Sequence, residues 1–404
     1  MASNQFSPFA LLSQPLDQIR SHLVQYGAEL KETKFAGTYI IKFSPQTQAY
    51  HPSVNQLRGI VFRQSESGTP YLYAVGFPVP IEYKDQTPES QCEIQSSLKK
   101  TTYTVQEALD GTLIRLWYHD ETGQWMIATN SKEDAHDAYW MNNVSFGALF
   151  EATLQGILTN LNPNHVYLFS LCHPLNVIVV NHVVPKIYHL TTIDRVTLME
   201  VEIDLGIPHP PTFEMTVDGV LEQIQASQST PVSSAGYTIV PVPNEFDVVC
   251  RYRFENLNYT RARALRGDCN NIETIILSHL LRRTDSDSDV PIEDVGFANG
   301  AKHQGPAKLS EFLQYYPIYQ QTYCSILKRL NGLISYIYQV YVQRYKYHKE
   351  IWTDPRHHHF LQEVHRQLYL SHLRPQGKSV TEADVVNFIY NQEPNKISYL
   401  IEIL

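Results

Sequence analysis

The chain has 404 residues, 43% of them hydrophobic and 18% charged, and a formal net charge of −9. That length predicts two domains rather than one core, and that composition excludes an intrinsically disordered protein. No apolar run approaches the roughly 18 to 20 residues of a membrane-spanning helix, so a protein of that kind is excluded as well. In chain order, short runs rich in β-branched and aromatic residues predict strands over 38–43, 72–77, 113–118, 125–129, 167–171 and 177–182, with turn-formers such as Asp120 to Gly123 between them. Helical spacing takes over in 259–282 and again in 308–350, where Leu327, Leu330, Leu333, Ile334 and Ile337 recur three or four apart. An Asp/Ser-rich loop (Arg283 to Asp289) and a Gly-rich stretch (Gly296 to Gly305) separate the helical segments. The expected organisation is α+β: a sheet-rich domain, residues 1–260, followed by an all-helical domain, residues 261–404.

Charge is distributed unevenly. Residues 1–250 carry 13 Lys and Arg against 25 Asp and Glu, a balance of −12, whereas residues 251–404 carry 19 against 16, a balance of +3. Phosphate binding depends on local cation density, so the C-terminal part is the better candidate for touching RNA, although an excess of +3 over about 150 residues is also ordinary. The cysteines Cys92, Cys172, Cys250, Cys269 and Cys324 are scattered and form no CxxC pair. This points to a cytoplasmic or other reducing intracellular compartment and away from a structural zinc site. Met1 to Leu12 lacks the basic start and long apolar stretch of a signal peptide.

The chemistry is concentrated around Ala108-Leu-Asp-Gly-Thr112, an Asp-Gly turn followed at once by the strand Leu113 to Tyr118. Alone it is a weak signal, because Asp-Gly turns precede many strands. Its neighbours give it weight. Leu57 to Phe62 (LRGIVF) and Gly76 to Tyr83 (GFPVPIEY) lie upstream. Downstream come Ala128 to Ala135 with Trp140, Ser145 to Phe150, Leu168 to Val180 (LFSLCHPLNVIVV), Ser234 to Val240 (SAGYTIV) and Val249 to Arg253 leading into Asn258-Tyr259. In order and spacing this series resembles the motifs of the ATP-dependent RNA ligase 1 family, the phage tRNA-repair ligases and their viral relatives. The resemblance covers roughly residues 36–265. Phe312 to Tyr319 and the helices after it are similar, less specifically, to that family's C-terminal helical domain.

The resemblance implies a nucleotidyltransferase (adenylyltransferase) fold of antiparallel sheets enclosing a nucleotide cleft. It also implies ATP and Mg²⁺ as cofactors, and joining of RNA 5′-phosphate and 3′-hydroxyl ends through lysyl–AMP and AMP–RNA intermediates. RNA, including tRNA with a break, is the implied partner, and a virus-encoded origin is a further expectation. Transferred onto this sequence, the catalytic positions are Ala108 (the nucleophilic lysine), Asp110, Gly111, Ser170 and Ala235 (the glutamates of the third and fourth motifs), and Arg251 and Arg253 (the lysines of the fifth). Nucleotide contacts fall on Arg58, Phe77, Val79, Leu109, Lys132 and Gly236.

The departures lie on the reactive positions. Alanine has no amine with which to attack phosphorus, and serine and alanine offer no charge to a hard cation. Arginine carries its charge in a planar fork unlike a compact ammonium. Between residues 116 and 250 only Lys132, Lys186 and Arg195 are basic, few for a triphosphate. Two origins remain open: a lysine-to-alanine change made to trap the enzyme, which accounts for Ala108, or natural decay, favoured by the coincidence of four or five losses. A non-catalytic module that binds RNA or another protein through the same scaffold is the alternative functional class.

Three further features have two readings each. His357-His-His359, with His365 and His372, has imidazoles enough for a metal, but a solvated helix start after Pro355 explains it more simply, and no metal site is assigned. Cys172-His173 is structural rather than a reactive pair, since adjacent strand side chains point to opposite faces. The tyrosines of 315–323 and 336–347, interleaved with Arg344, Lys346 and Lys349, fit RNA stacking and phosphate contact, or core packing with a solvated basic edge.

Overall fold

The computed structural model describes residues 7–403 apart from 45, 50, 52–53, 65–67, 78, 141–143, 155–160, 228–230, 243–249, 268 and 282–306. The stretches around Arg283 to Asp289 and Gly296 to Gly305, together with Pro78 and Val249, therefore lie outside the described residues. The chain divides into two compact units, Met1–Arg261 and Ala262–Leu404.

The first unit opens with α1 (Pro8–Leu12) and α2 (Leu16–Gln25), then β1 (Ala28–Glu32), β2 (Thr38–Phe43), β3 (Val61–Gln64), β4 (Pro70–Ala74) and β5 (Ile81–Glu82). It continues with α3 (Pro88–Leu98), β6 (Tyr103–Glu107), β7 (Thr112–His119), β8 (Gln124–Ala128), α4 (Phe146–Leu154), β9 (His165–Cys172) and β10 (Lys186–Asp194). β11 (Glu200–Val201), β12 (Thr212–Phe213), α5 (Val217–Ala226), β13 (Gly236–Pro241), β14 (Tyr252–Glu255) and α6 (Leu257–Arg266) complete it, α6 running on into the second unit. The strands form three sheets, ordered β1-β2-β3-β4, β11-β10-β9-β7-β8 and β12-β6-β13-β14-β5. Pairing is antiparallel except between β14 and β5, where Tyr252 and Arg253 run parallel to Ile81 and Glu82.

Alternation along the central strands explains how the layers pack. Ile114 and Leu116 of β7 and Tyr167, Phe169 and Leu171 of β9 face a core closed by Phe150 of α4. Trp117, Val166 and Leu168 face the opposite way, into the core of β1–β4 and α2. A period of two on strands buried on both faces produces this division. The third sheet buries Val105, Ile239 and Phe254 under Val217, Val220 and Ile224 of α5 and Leu98 of α3.

Two expectations need correction. Residues 177–182 form no strand but a loop, because the amides of Val179 and Val180 bond a carboxylate rather than a neighbouring strand. The helix expected over 259–282 is two helices, α6 and α7 (Ile272–Leu281), with the N–H of Gly267 closing on the carbonyl of Arg263 at the end of the first.

In the second unit α7 is followed by α8 (Ala307–Tyr315), α9 (Gln320–Tyr341), α10 (Pro355–Glu363), α11 (Glu382–Tyr390) and α12 (Pro394–Ile401). α9 is the axis. Ile326, Leu330, Leu333, Ile334 and Ile337 are buried at helical spacing, and α7, α10, α11 and α12 pack on it. Among the described residues no helix is long and apolar enough to cross a membrane.

Arg115 ties the first unit together. Its guanidinium is fully buried and donates to the carbonyls of Gly59, Val75 (3.2 Å) and Thr129 (2.6 Å). Burial pulls its pKa down to about 9, so the group stays charged at neutral pH. Arg115→Met is expected to destabilise the chain by about 3 kcal/mol, because three buried carbonyls lose a donor. Lys99→Met removes only an exposed ion pair with Asp218 and should change stability by less than about 1 kcal/mol. Urea unfolding of the two variants measures both, and equal midpoints would contradict the assignment.

Candidate functional site

β6 ends at Glu107, and the N–H of Ala108 carries the ladder one step further by donating to the carbonyl of Gly236 at 2.9 Å. The Ala108 methyl is 2% exposed. Two residues on, the buried Asp110 carboxylate accepts from the amides of Val179 (2.8 Å) and Val180 (2.7 Å) through Oδ2 and from the hydroxyl of Tyr259 on α6 (2.7 Å) through Oδ1. Its own carbonyl accepts from His182 Nε2 at 2.6 Å, which fixes the ring in the Nε2–H tautomer.

Gly111 follows, and it has to be glycine. A Cβ there would lie 2.5 Å from Ser170 Oγ and 2.8 Å from the carbonyl of Leu171. The chain then enters β7, where Thr112 pairs with Leu171 and Leu113 with Ser170, while Asn176 Nδ2 donates to Thr112 Oγ1 at 2.6 Å. Gly236 is similarly constrained, with φ of +127° and a hypothetical Cβ 2.1 Å from the carbonyl of Phe254. Ala235, fully buried, precedes it and accepts from the amide of Asn256 at 2.9 Å.

The structure thus brings Ala108, Asp110, Gly111, Ser170, Ala235 and Gly236 together, with Leu109 half-buried among them. Ser170 and Cys172 share a face of β9, opposite Tyr188 and Lys186 of β10. The Cys172 thiol is pushed up to about 11 by burial, which makes it a poor nucleophile and fits a structural role. Glu107 is near enough to feel Lys186 and His182. Burial raises its pKa, while His182, a hydrogen bond from Ser234 and Lys186 partly offset the rise.

The cationic positions are matched by carboxylates. Arg251 is buried and stacks 4.6 Å from the Phe77 ring centroid. Its Nη2 donates to both oxygens of Glu200, at 2.8 and 2.9 Å, leaving Nη1 without an acceptor among the described residues. Arg253 lies 3.4 Å from Glu255 and 3.9 Å from Glu82, and Lys84 donates to Glu255 as well. Arg58 is half-buried beside Arg115, whose charge it opposes. Val79 is half-buried, and Lys132 is exposed beside Lys42.

Glu200, Glu255, Lys84, His182, Asn176 and Tyr259 were not legible as site residues. Only Glu255 carried a local sign, standing two residues after Arg253 on the same strand.

In the second unit, Arg344 is half-buried with Nη1 2.7 Å from His358 Nδ1, whereas Lys346 and Lys349 are exposed. Tyr315, Tyr316, Tyr319, Tyr323 and Tyr341 are core residues and cannot stack on a ligand as they stand. Nor is the histidine run a wholly solvated helix start. α10 does begin at Pro355, but His357 is buried, its Nε2 3.0 Å from the carbonyl of Leu400. Among the described residues no cluster of three metal-ligating side chains occurs.

No family model matches the chain. "Immediate-early protein ICP-46 homolog" of Invertebrate iridescent virus 3 is 22% identical over 385 residues, 90% of this chain and 77% of that protein. The protein of the same name from Invertebrate iridescent virus 6 is 31% identical over 134 residues, 32% of this chain and 27% of that one. Among solved structures, an archaeal ATP-dependent RNA ligase is similar in two forms, with TM-scores of 0.41 and 0.43 at 12% and 13% identity, each over 81% of this chain and 83% of that one. A putative ATP-dependent DNA ligase from Aquifex aeolicus has a TM-score of 0.36 at 12% identity, over 89% of both chains.

Two outcomes test this arrangement. Gly236→Ala should cost about 2–3 kcal/mol in urea unfolding, because the methyl meets backbone that cannot give way. A raised folded pKa means that folding disfavours the Glu107 carboxylate. That cost is absent below the unfolded pKa and fully present above the folded one. Glu107→Gln should therefore melt higher than the parent at neutral pH and level with it below about pH 4. An equal gap at both pH values would refute the buried-carboxylate assignment.

Proposed function

We propose that this is a ligase-like protein of the nucleotidyltransferase type that has lost self-adenylylation and works by binding RNA. One observation carries the reading. The position expected to hold the nucleophilic amine is the buried methyl of Ala108, and Arg251, Arg253 and Lys84 lie against the carboxylates of Glu200, Glu82 and Glu255.

The residues present do not fit a bound MgATP. Ser170 and Ala235 offer no carboxylate to a divalent cation, and both oxygens of Asp110 already accept hydrogen bonds. Arginines already matched by carboxylates have little field left with which to attract a triphosphate, which leaves the exposed Lys186 as a lone cation beside Glu107 among the described residues. Arg251 Nη1 is a buried donor there without an acceptor among the described residues, and a single such group does not hold three phosphates. The motif order supports the ligase-like part of the reading, and the viral relatives support a virus-encoded origin. The exposed cations of the second unit, Lys346 and Lys349, support RNA as the partner. tRNA with a break is the RNA that the motif resemblance favours.

Incubation with α-labelled ATP and Mg²⁺, followed by denaturing electrophoresis, tests the loss. The parent chain should form no covalent adduct, and Ala108→Lys, confirmed as folded, should form none either. Adduct recovered by that single change would mean the pocket is otherwise intact and the decay reading is wrong. Adduct on the parent would overturn the placement of the first motif.

A further inference from the structure

We infer that the loop from Lys346 to Trp352 in the second unit is a docking site for single-stranded RNA, with Trp352 and Tyr347 as stacking surfaces for bases. This rests on RNA being the partner proposed above and says where and in what form it is held.

The loop leaves α9 through a π-helical end, Val342–Lys346, and reaches α10 through an extended stretch. Both stems are fixed. The amides of Tyr347 and Lys349 close on the carbonyls of Val342 (3.1 Å) and Gln343 (3.0 Å), and Arg344 is held against His358 of α10. At the far end the Asp354 side chain caps α10 by accepting from the amide of Arg356 at 2.9 Å. Between them His348 sits at φ of +54°, a left-handed conformation uncommon for a residue with a side chain. Ordered stems of this kind present the loop rather than let it trail.

What the loop presents is unusual. Trp352 is 86% exposed and Tyr347 56%, whereas large aromatic side chains are ordinarily well covered. The other tyrosines of the same stretch show the contrast: Tyr341 is buried and Tyr345 stacks on His365 at 4.0 Å. The same loop carries two exposed cations. Lys346 Nζ is 5.7 Å from the Tyr347 ring centroid, and Lys349 is exposed two residues further on. Residues 342–378 hold seven Lys and Arg against three Asp and Glu, a balance of +4 in a chain whose total is −9.

Charge and shape together choose the partner. Protein interfaces are depleted in lysine and seat their aromatic anchors in a well-packed, water-excluded centre, whereas Lys346 and Lys349 are exposed here and the large apolar side chains exposed in 342–378 are few, Tyr347, Trp352 and Leu370. Isolated rings among cations match a strand whose phosphates are paired and whose bases are free to stack. A duplex hides those base faces, so the single-stranded form is the one that fits.

The test uses the full chain and a fluorescein-labelled 12-nucleotide RNA without self-complementarity, read by anisotropy at two salt concentrations. Trp352→Ala should bind about tenfold more weakly, with Trp352→Phe close to the parent. The double change Lys346→Glu with Lys349→Glu should weaken binding and flatten its salt dependence. A duplex of the same length should bind more weakly than the single strand. Far-UV circular dichroism checks that each surface variant is folded. If the parent binds RNA and the loop variants match it, the docking site is refuted while RNA as partner survives. Preference for the duplex refutes the single-stranded form. A parent that binds neither refutes both.

Discussion

The carboxylate of Asp110 fastens the centre of the first unit. Burying a charge costs several kcal/mol unless hydrogen bonds replace its water, and here two amides and a phenol do so. The donors come from places far apart in sequence: the loop at 179–180, nearly seventy residues on, and Tyr259 of α6, almost 150 residues on. One side chain therefore fixes where the turn before β7 lies, where the loop after β9 folds back and how α6 begins. The tight passage of Gly111 over Ser170 and the junction of Ala108 with Gly236 follow from that anchoring.

A second consequence concerns charge. Once the turn is set, β14 carries Arg253 and the residue just before it is Arg251, and each meets a carboxylate from another segment. An ion pair that is mostly buried loses much of its attraction to desolvation, so these contacts say less about stability than about availability. A guanidinium stacked on Phe77 with Nη2 bonded to both oxygens of Glu200 is fixed in direction and largely neutralised.

Much of the fold was legible in the sequence because period-two strands with both faces buried leave a strong pattern. The strand at 38–43 matches β2 in full, and the run at 113–118 lies inside β7. The run at 177–182 carries the same β-branched signature and is no strand, since what its amides bond to is a tertiary fact. Ion-pair partners were illegible for the same reason. Lys84 and Glu255 stand 171 residues apart, and no local pattern announces such a pair. Tyrosine content likewise could not separate core from surface: Tyr341 and Tyr347 read alike in sequence, yet the first is buried on α9 and the second is exposed beyond the helical end.

The three neutral positions at the turn bear on how, on the reading proposed above, such a fold would persist without adenylylation. Ala108, Ser170 and Ala235 are each 5% exposed or less. A lysine and two glutamates at sites so enclosed would have to be desolvated on folding, a cost that only ligand or metal binding could offset. On the reading proposed above, once adenylylation no longer mattered, replacement of those side chains by small neutral ones would relieve strain and let the cleft close. Active-site charge is commonly held against stability, so losses at these positions would be stabilising or neutral. The bonds to Asp110 and the close approach at Gly236 use the side chain of none of these three positions, and the approach at Gly111 meets the small Ser170 hydroxyl and the Leu171 carbonyl. On that reading the scaffold outlasts the chemistry because the anchoring of the turn by Asp110 and Gly236 does not depend on the groups that adenylylation would need.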